Sequence, residues 1–127
     1  MNAIKLREEL NHRLSLHIND DYGLEESWKR ITAILSEDVI ETIDFIKNDC
    51  TDEEFFWLSE VFSDVSEVVQ SKQFVETLRS RLARVNRETY NQNSFESEHM
   101  RKWVDYDEYI RSVSMEIDYA EGTLNTD

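Results

Sequence analysis

The sequence contains no proline and only two glycines, Gly23 and Gly122. A β-sandwich or a barrel needs frequent turns, and proline and glycine are the residues that most often form them. The apolar residues instead recur at steps of three and four along most of the chain, which is the spacing of an amphipathic helix. At 127 residues the chain has the length of one common domain. We therefore predict an all-α, single-domain bundle of about five to six helices.

Cysteine is also scarce, because Cys50 is the only one. A single cysteine cannot close a disulfide within the chain, and such a chain suits a reducing compartment. No window approaches the roughly eighteen consecutive apolar residues of a transmembrane helix, and the first nine residues are too charged for a secretory leader. We expect a cytoplasmic protein that does not associate with a membrane.

Basic residues are few: 14 Lys and Arg stand against 28 Asp and Glu, which gives a formal net charge of −14. Nucleic acids and anionic membranes are bound through Lys and Arg that displace counterions, so we expect neither as a partner. Acidity can serve solubility alone. Here it is concentrated, because between Glu37 and Glu67 eleven acids accompany one base, Lys47. This distribution favours a basic partner.

The apolar pattern divides the chain into four segments. They are a first helix with its loop (1–22), central helices (23–93), one long C-terminal helix (94–122) and a frayed tail (123–127). We expect the polar residues from Asn19 to Gly23 to end the first helix, which spans about residues 2–17. The last helix is expected to begin near Ser97, to carry Trp103 on its apolar face and to stop at Gly122.

Local signals predict the helix ends of the central segment. Ser36 is followed by two acids, which is typical of an N-cap, so it is expected to begin the third helix. Thr51 and Glu54 fit a capping box that opens the fourth helix. We expect a break at about Gln70, and a loop in the asparagine-rich residues 86–94.

Two Glu-x-x-His pairs are the strongest indication of chemistry, because such pairs on facing helices hold di-iron centres in some bundles. Glu9 and His12 form the first pair, and Glu96 and His99 the second. At about 100° per residue, Glu9 and His12 point toward solvent and away from the apolar stripe of their helix. We interpret both pairs as solvated and predict no catalytic, cofactor or metal site. A metal-dependent bundle enzyme remains a minor alternative.

Carboxylates and aromatics share the outer faces of two consecutive central helices. On a helical wheel Trp57 projects into one acidic stripe, and Phe45 projects among the acids of the preceding helix. An aromatic anchor ringed by carboxylates is typical of an interface with a basic protein. The alternative is that other helices cover these aromatics. The predicted partner-binding residues are Glu41, Asp44, Phe45, Glu53, Trp57, Glu60 and Asp64.

A later helix has a basic side made of Arg79, Arg81, Arg84 and Arg87. Aromatic residues do not alternate with these arginines and the overall charge is negative, so the pattern does not indicate RNA binding. We predict that the arginines pair with the acidic helices of the same chain.

Residues 55–79 and 117–121 read FFWLSEVFSDVSEVVQSKQFVETLR and IDYAE. These stretches, about a quarter of the chain, resemble small helical immunity proteins of bacterial contact-dependent growth inhibition systems. The resemblance implies a cytoplasmic protein that binds and blocks one cognate toxin domain, often a nuclease, but it supplies no motif for individual contact residues. The leading hypothesis is therefore an immunity protein for a basic toxin. The alternative is a helical adaptor or regulatory subunit that binds a basic protein.

Overall fold

The computed structural model describes residues 1–92, 96–97 and 102–125. Its α-helices are α1 (Ala3–Ser15), α2 (Asp21–Ser36), α3 (Val39–Asn48), α4 (Asp52–Leu58), α5 (Phe62–Val69), α6 (Lys72–Ala83), α7 (Arg87–Gln92) and α8 (Tyr106–Gly122). A 3₁₀ turn, Ser59–Val61, joins α4 to α5. Two short antiparallel strands, β1 (Glu96–Ser97) and β2 (Lys102–Trp103), pair with Glu96 opposite Trp103. The predicted all-α class is confirmed, with more helices than expected.

Two local features account for the additional helices. Residues 52–69, expected as one helix, are divided at Val61, whose φ of −115° and ψ of 7° lie outside the α region. In the expected loop 86–94, residues Arg87–Gln92 are helical. The Asn86 side chain begins that turn, because it accepts a hydrogen bond of 2.9 Å from the backbone amide of Thr89.

Aspartates fix the starts of the second and third helices. Asp20 caps α2 by accepting a hydrogen bond of 2.9 Å from the amide of Gly23, so the loop that was expected to reach residue 22 is shorter. Asp38 caps α3, whereas Ser36, the predicted cap, is the last residue of α2. The predicted capping box of Thr51 and Glu54 is confirmed.

The last helix begins at Tyr106, not near Ser97, so the prediction of one helix over residues 94–122 is wrong. Asp105 is its N-cap and accepts a hydrogen bond of 2.8 Å from the amide of Glu108. The apolar spacing from Trp103 onward continued past this cap and obscured it, while the backbone of Trp103 lies in β2. Gly122 ends the helix as predicted.

Gln70 holds the C-terminal residues against α5, so the expectation that residues 123–127 fray is wrong for residues 123–125. Its side-chain amide donates to the carbonyl of Thr123 at 2.9 Å and accepts from the amide of Asn125 at 2.8 Å. Leu124, between them, packs on the core. Gln70 itself ends α5 in the left-handed conformation, which confirms the predicted break. Residues 126–127 lie outside the described ranges.

The buried apolar side chains form one cluster around α8, which packs against α5 and α6, while α1 packs against α2. Val113, Ile117 and Ala120 of α8 are fully buried in it. Val68 of α5 lies outside this cluster, and 63% of it is exposed. Among the described helices, none combines the length and the apolar character that crossing a lipid bilayer requires.

Candidate protein-binding groove

The two aromatics of the predicted surface are buried, with Trp57 6% and Phe45 2% exposed. Their projection toward solvent is therefore wrong. Arginines of α1 cover both rings: the guanidinium carbon of Arg13 lies 5.5 Å from the ring centroid of Trp57, and that of Arg7 lies 5.2 Å from Phe45. The helical wheel treats each helix in isolation, but packing against α1 determines which residues of α3 and α4 reach solvent.

The predicted acidic stripe of α4 and α5 is divided among three environments. Each residue of the 3₁₀ turn Ser59–Val61 adds about 120° of rotation and not about 100°, so a single wheel does not describe residues 52–69. Glu53 lines a small cleft against α1. Glu60 is bound by Arg13, and Asp64 lines a different cleft beside α2.

The two predicted carboxylates of α3 face another part of the molecule. Glu41 forms an ion pair with the α-amino group of Met1. Asp44 accepts a hydrogen bond of 2.8 Å from the side-chain amide of Asn48. Both side chains are exposed, and neither lines the groove described below.

Arg13 is a buried cation that organises this side of the molecule, with only 1% of the residue exposed. It donates to Glu60 through Nε at 3.0 Å and through Nη2 at 2.7 Å, a bidentate pair. Its guanidinium carbon also lies 5.9 Å from the ring centroid of Trp28, in addition to the contact with Trp57. Glu60 and Trp57 thus serve the fold as well as the surface.

An open groove follows α2, with α4, the 3₁₀ turn and α5 on one side and α8 beyond them. It consists of two cavities, of about 510 Å³ and about 640 Å³, which share Asp21, Leu24 and Trp28 in their walls. We call it the acidic groove. Its apolar walls are formed by Ile18, Leu24, Trp28, Phe56, Trp57, Val68 and Met115. Its carboxylates are those of Asp21, Glu25, Glu60, Asp64, Glu67 and Glu116.

Several of the exposed apolar side chains, though not all of them, line this groove or lie near it. Ile18, Val68 and Met115 line it although each is about half exposed or more. Tyr119, also exposed, lies one turn beyond Met115 on the same face of α8, and the exposed Tyr22 adjoins the groove residue Asp21. A contiguous apolar patch rimmed by polar residues is typical of a protein interaction site.

The charge of the acidic groove is not balanced by bases. Two cations line it, and each has an acidic partner. Arg13 forms an ion pair with Glu60, and Nζ of Lys29 lies 3.4 Å from Oε1 of Glu26. No described basic residue lies within salt-bridge distance of Asp64 or Glu116.

The pKa values of Glu116 and Asp64 reflect this imbalance of charge. Burial raises the pKa of Glu116, and the nearby charges of Glu60 and Asp64 raise it further. Burial and the charge of Glu67 likewise raise the pKa of Asp64. The ionised forms are therefore disfavoured in the unbound protein, and a cation placed between these groups would stabilise them.

The residues of the first Glu-x-x-His pair lie in different surroundings, because His12 is exposed as predicted whereas Glu9 is held by structural contacts. Glu9 does not face solvent as predicted: it accepts hydrogen bonds of 3.0 Å from Ser27 Oγ and of 3.0 Å from Arg30 Nε. The side chain of Glu96 and the whole of His99 lie outside the described ranges. Within those ranges, no group of three His, Cys, Asp or Glu side chains is arranged to hold a metal ion. Burial raises the pKa of the Cys50 thiol, which keeps it protonated.

Comparisons of the chain with models of protein families, with curated proteins and with solved structures find no match.

Proposed function

We propose that the protein is an immunity protein, which binds a cognate basic toxin domain, such as a nuclease, through the acidic groove and thereby neutralises it. The observation that carries this proposal is the combination, in one groove, of exposed apolar side chains with the carboxylates of Asp64 and Glu116, for which the described residues supply no counter-ion. A nuclease holds phosphates on a basic surface. A rigid acidic surface competes for the same basic residues without being a substrate, so inhibition needs no chemistry from this chain.

The proposed surface differs from the one predicted from the sequence. It keeps Glu60 and Asp64, whose carboxylates line the groove, and adds Glu116 from α8. The half-buried rings of Trp28 and Phe56 take the place of the buried Trp57 and Phe45 as aromatic contacts. Carboxylates at the rim are expected to accelerate association, and the apolar walls to slow dissociation.

The test is protection of growth. The neighbouring open reading frame is expressed with and without this protein, and we expect growth arrest only in its absence. The double variant Asp64→Lys/Glu116→Lys should lose protection, because two carboxylates that face the partner become repulsive cations. Circular dichroism and the unfolding midpoint show whether the variant is folded.

The matched control is Glu41→Lys/Asp44→Lys, which makes the same change of charge on α3. We expect it to retain protection. Equal loss of protection in both double variants would show that net charge, and not the groove, determines binding. Absence of growth arrest, together with capture of a basic partner by the groove, would reject a toxin and support an adaptor or regulatory subunit.

A further inference from the structure

The acidic groove has one end where rings and carboxylates come together. This end is the cavity of about 510 Å³ between α2, the 3₁₀ turn and α8. Trp28, Phe56, Trp57 and Met115 supply its apolar walls, and Glu60 and Glu116 supply its carboxylates. Arg13 also lines it and is paired with Glu60. Its volume lies within the range typical of a preformed ligand pocket.

We infer that this cavity binds an arginine side chain of the partner, with the guanidinium at the carboxylate of Glu116 and the aliphatic stem against Trp28, Phe56 and Met115. The inference deepens the proposed function by naming the group through which the basic partner anchors. An arginine anchor flanked by apolar contacts is a common source of binding energy in protein interfaces.

Arginine fits this cavity better than lysine does. A guanidinium is planar and weakly hydrated, so it stacks on aromatic rings and binds a carboxylate with two parallel hydrogen bonds. The protein already binds its own Arg13 in this manner at the cavity. Arg13 donates two hydrogen bonds to the carboxylate of Glu60, and its guanidinium lies near the rings of Trp28 and Trp57. Glu116 offers a second carboxylate in the same cavity, and no described cation lies within salt-bridge distance of it.

The electrostatic environment also favours a cation over a neutral side chain. Glu116 lies close enough to Glu60 and Asp64 for their charges to raise its pKa, and its own partial burial acts in the same direction. A guanidinium bound there would lower the pKa of Glu116 again. It supplies a positive charge, and it supplies hydrogen bonds in place of the water that partial burial excludes. A neutral amide of the same shape would supply hydrogen bonds but no charge.

The test uses N-acetyl-arginine-N-methylamide as a probe on the intact protein, followed by nuclear magnetic resonance. We expect saturable shifts of the Trp28 indole N–H and the Met115 methyl signals, with a dissociation constant on the order of millimolar for a single side chain. The citrulline analogue has nearly the same shape without the charge and should give no saturable shift. The lysine analogue should bind several-fold more weakly.

Two variants locate the binding site. Glu116→Gln should weaken arginine binding about tenfold, the equivalent of about 1.4 kcal/mol, while Asp44→Asn on α3 should leave it unchanged. Equal shifts with citrulline, shifts confined to other surfaces, or an unaffected Glu116→Gln variant would overturn the inference.

The outcome is separable from that of the growth assay. Saturable arginine binding without a toxin would support the pocket and reject immunity. Protection by the groove without arginine binding would support immunity and reject the arginine anchor.

Discussion

The arginines around α6 and the carboxylates of the acidic groove are both dense charged regions, but they differ in how many partners the described part of the molecule gives them. Arg79 pairs with Asp118 and Glu121 of α8, and Arg81 binds Asp52 at 2.7 Å and the carbonyl of Cys50 at 3.1 Å. The remaining contacts are those of Arg84 with the carbonyl of Lys47 and of Arg87 with Asp107. In the groove, Asp64 and Glu116 have no such partner among the described residues.

This difference separates charge that serves the fold from charge that is available to a partner. The arginines pair within the molecule as predicted, but only Arg81 binds a carboxylate of the acidic helices, whereas Arg79 and Arg87 bind carboxylates of α8. Arginines held by carboxylates and carbonyls are poorly placed to bind phosphates, which argues further against a nucleic-acid surface on α6. The unmatched carboxylates carry the functional argument for the same reason.

The largest expected effect concerns the aromatic that the sequence placed at the interface. Trp57→Ala should lower the free energy of unfolding by about 4 kcal/mol, because it removes a buried ring and leaves a cavity beside Arg13. Urea denaturation measures this change. Trp28→Ala, at a half-buried ring of the groove, should cost less stability and more partner affinity. A Trp57→Ala variant that remains fully stable but loses binding would restore Trp57 as an interface residue.

The next effect tests whether the arginines of α6 are structural. Arg81 is buried and bonded to Asp52 and Cys50, so Arg81→Ala should lower the free energy of unfolding by about 3 kcal/mol. Arg79, whose side chain is 43% exposed, serves as the control. Arg79→Ala should change the stability by less than about 1 kcal/mol, because exposed ion pairs contribute little. Similar losses in the two variants would remove the distinction between buried and surface pairing.

The smallest effect should be a gain in stability. Glu116→Gln removes repulsion by Glu60 and Asp64, so we expect the free energy of unfolding at pH 7 to rise by a few tenths of a kcal/mol. Because the pKa of Glu116 is raised in the folded state, the folded protein binds more protons than the unfolded chain near that pKa. The contribution of Glu116 to the free energy of unfolding therefore falls as the pH rises from its ordinary pKa through the raised value.

The pH dependence of that gain is the sharper measurement. The stability difference between Glu116→Gln and the unchanged protein should be smallest in acid and should grow as the pH rises through the raised pKa of Glu116. Comparing the two proteins at each pH cancels the opposite contribution of Glu54, whose pKa is lowered. A difference that does not vary with pH would mean that the Glu116 carboxylate is as well stabilised in the folded protein as in water.

The fold class followed from the sequence because apolar spacing and local caps are short-range properties. The Thr51 and Glu54 box is complete within four residues, so it could be recognised without any tertiary information. The start of α8 was missed because the apolar spacing continued past the Asp105 cap. The break in the helix at Val61 has no comparable local signal. The helical wheel therefore treated residues 52–69 as one regular helix and projected their side chains incorrectly.

The groove could be predicted only in part, because its walls come from distant parts of the chain. Asp64 and Glu60 were identified from their helix, but Glu116 comes close to them only through the packing of α8. Arg13 carried a signal that was overlooked. It follows Leu10 by three residues and Leu6 by seven, so it occupies an apolar position of the first stripe, where a buried cation needs a buried acceptor.

The position of Arg13 beside two indole rings gives the protein an intrinsic optical reporter. Trp28 is half-buried and Trp57 is almost fully buried, and both line the cavity of about 510 Å³. A molecule that enters this cavity displaces water mainly from the more exposed of the two rings, that of Trp28. Occupancy can therefore be followed through the emission spectrum of the unlabelled chain, and replacing Trp28 by Phe should weaken that response.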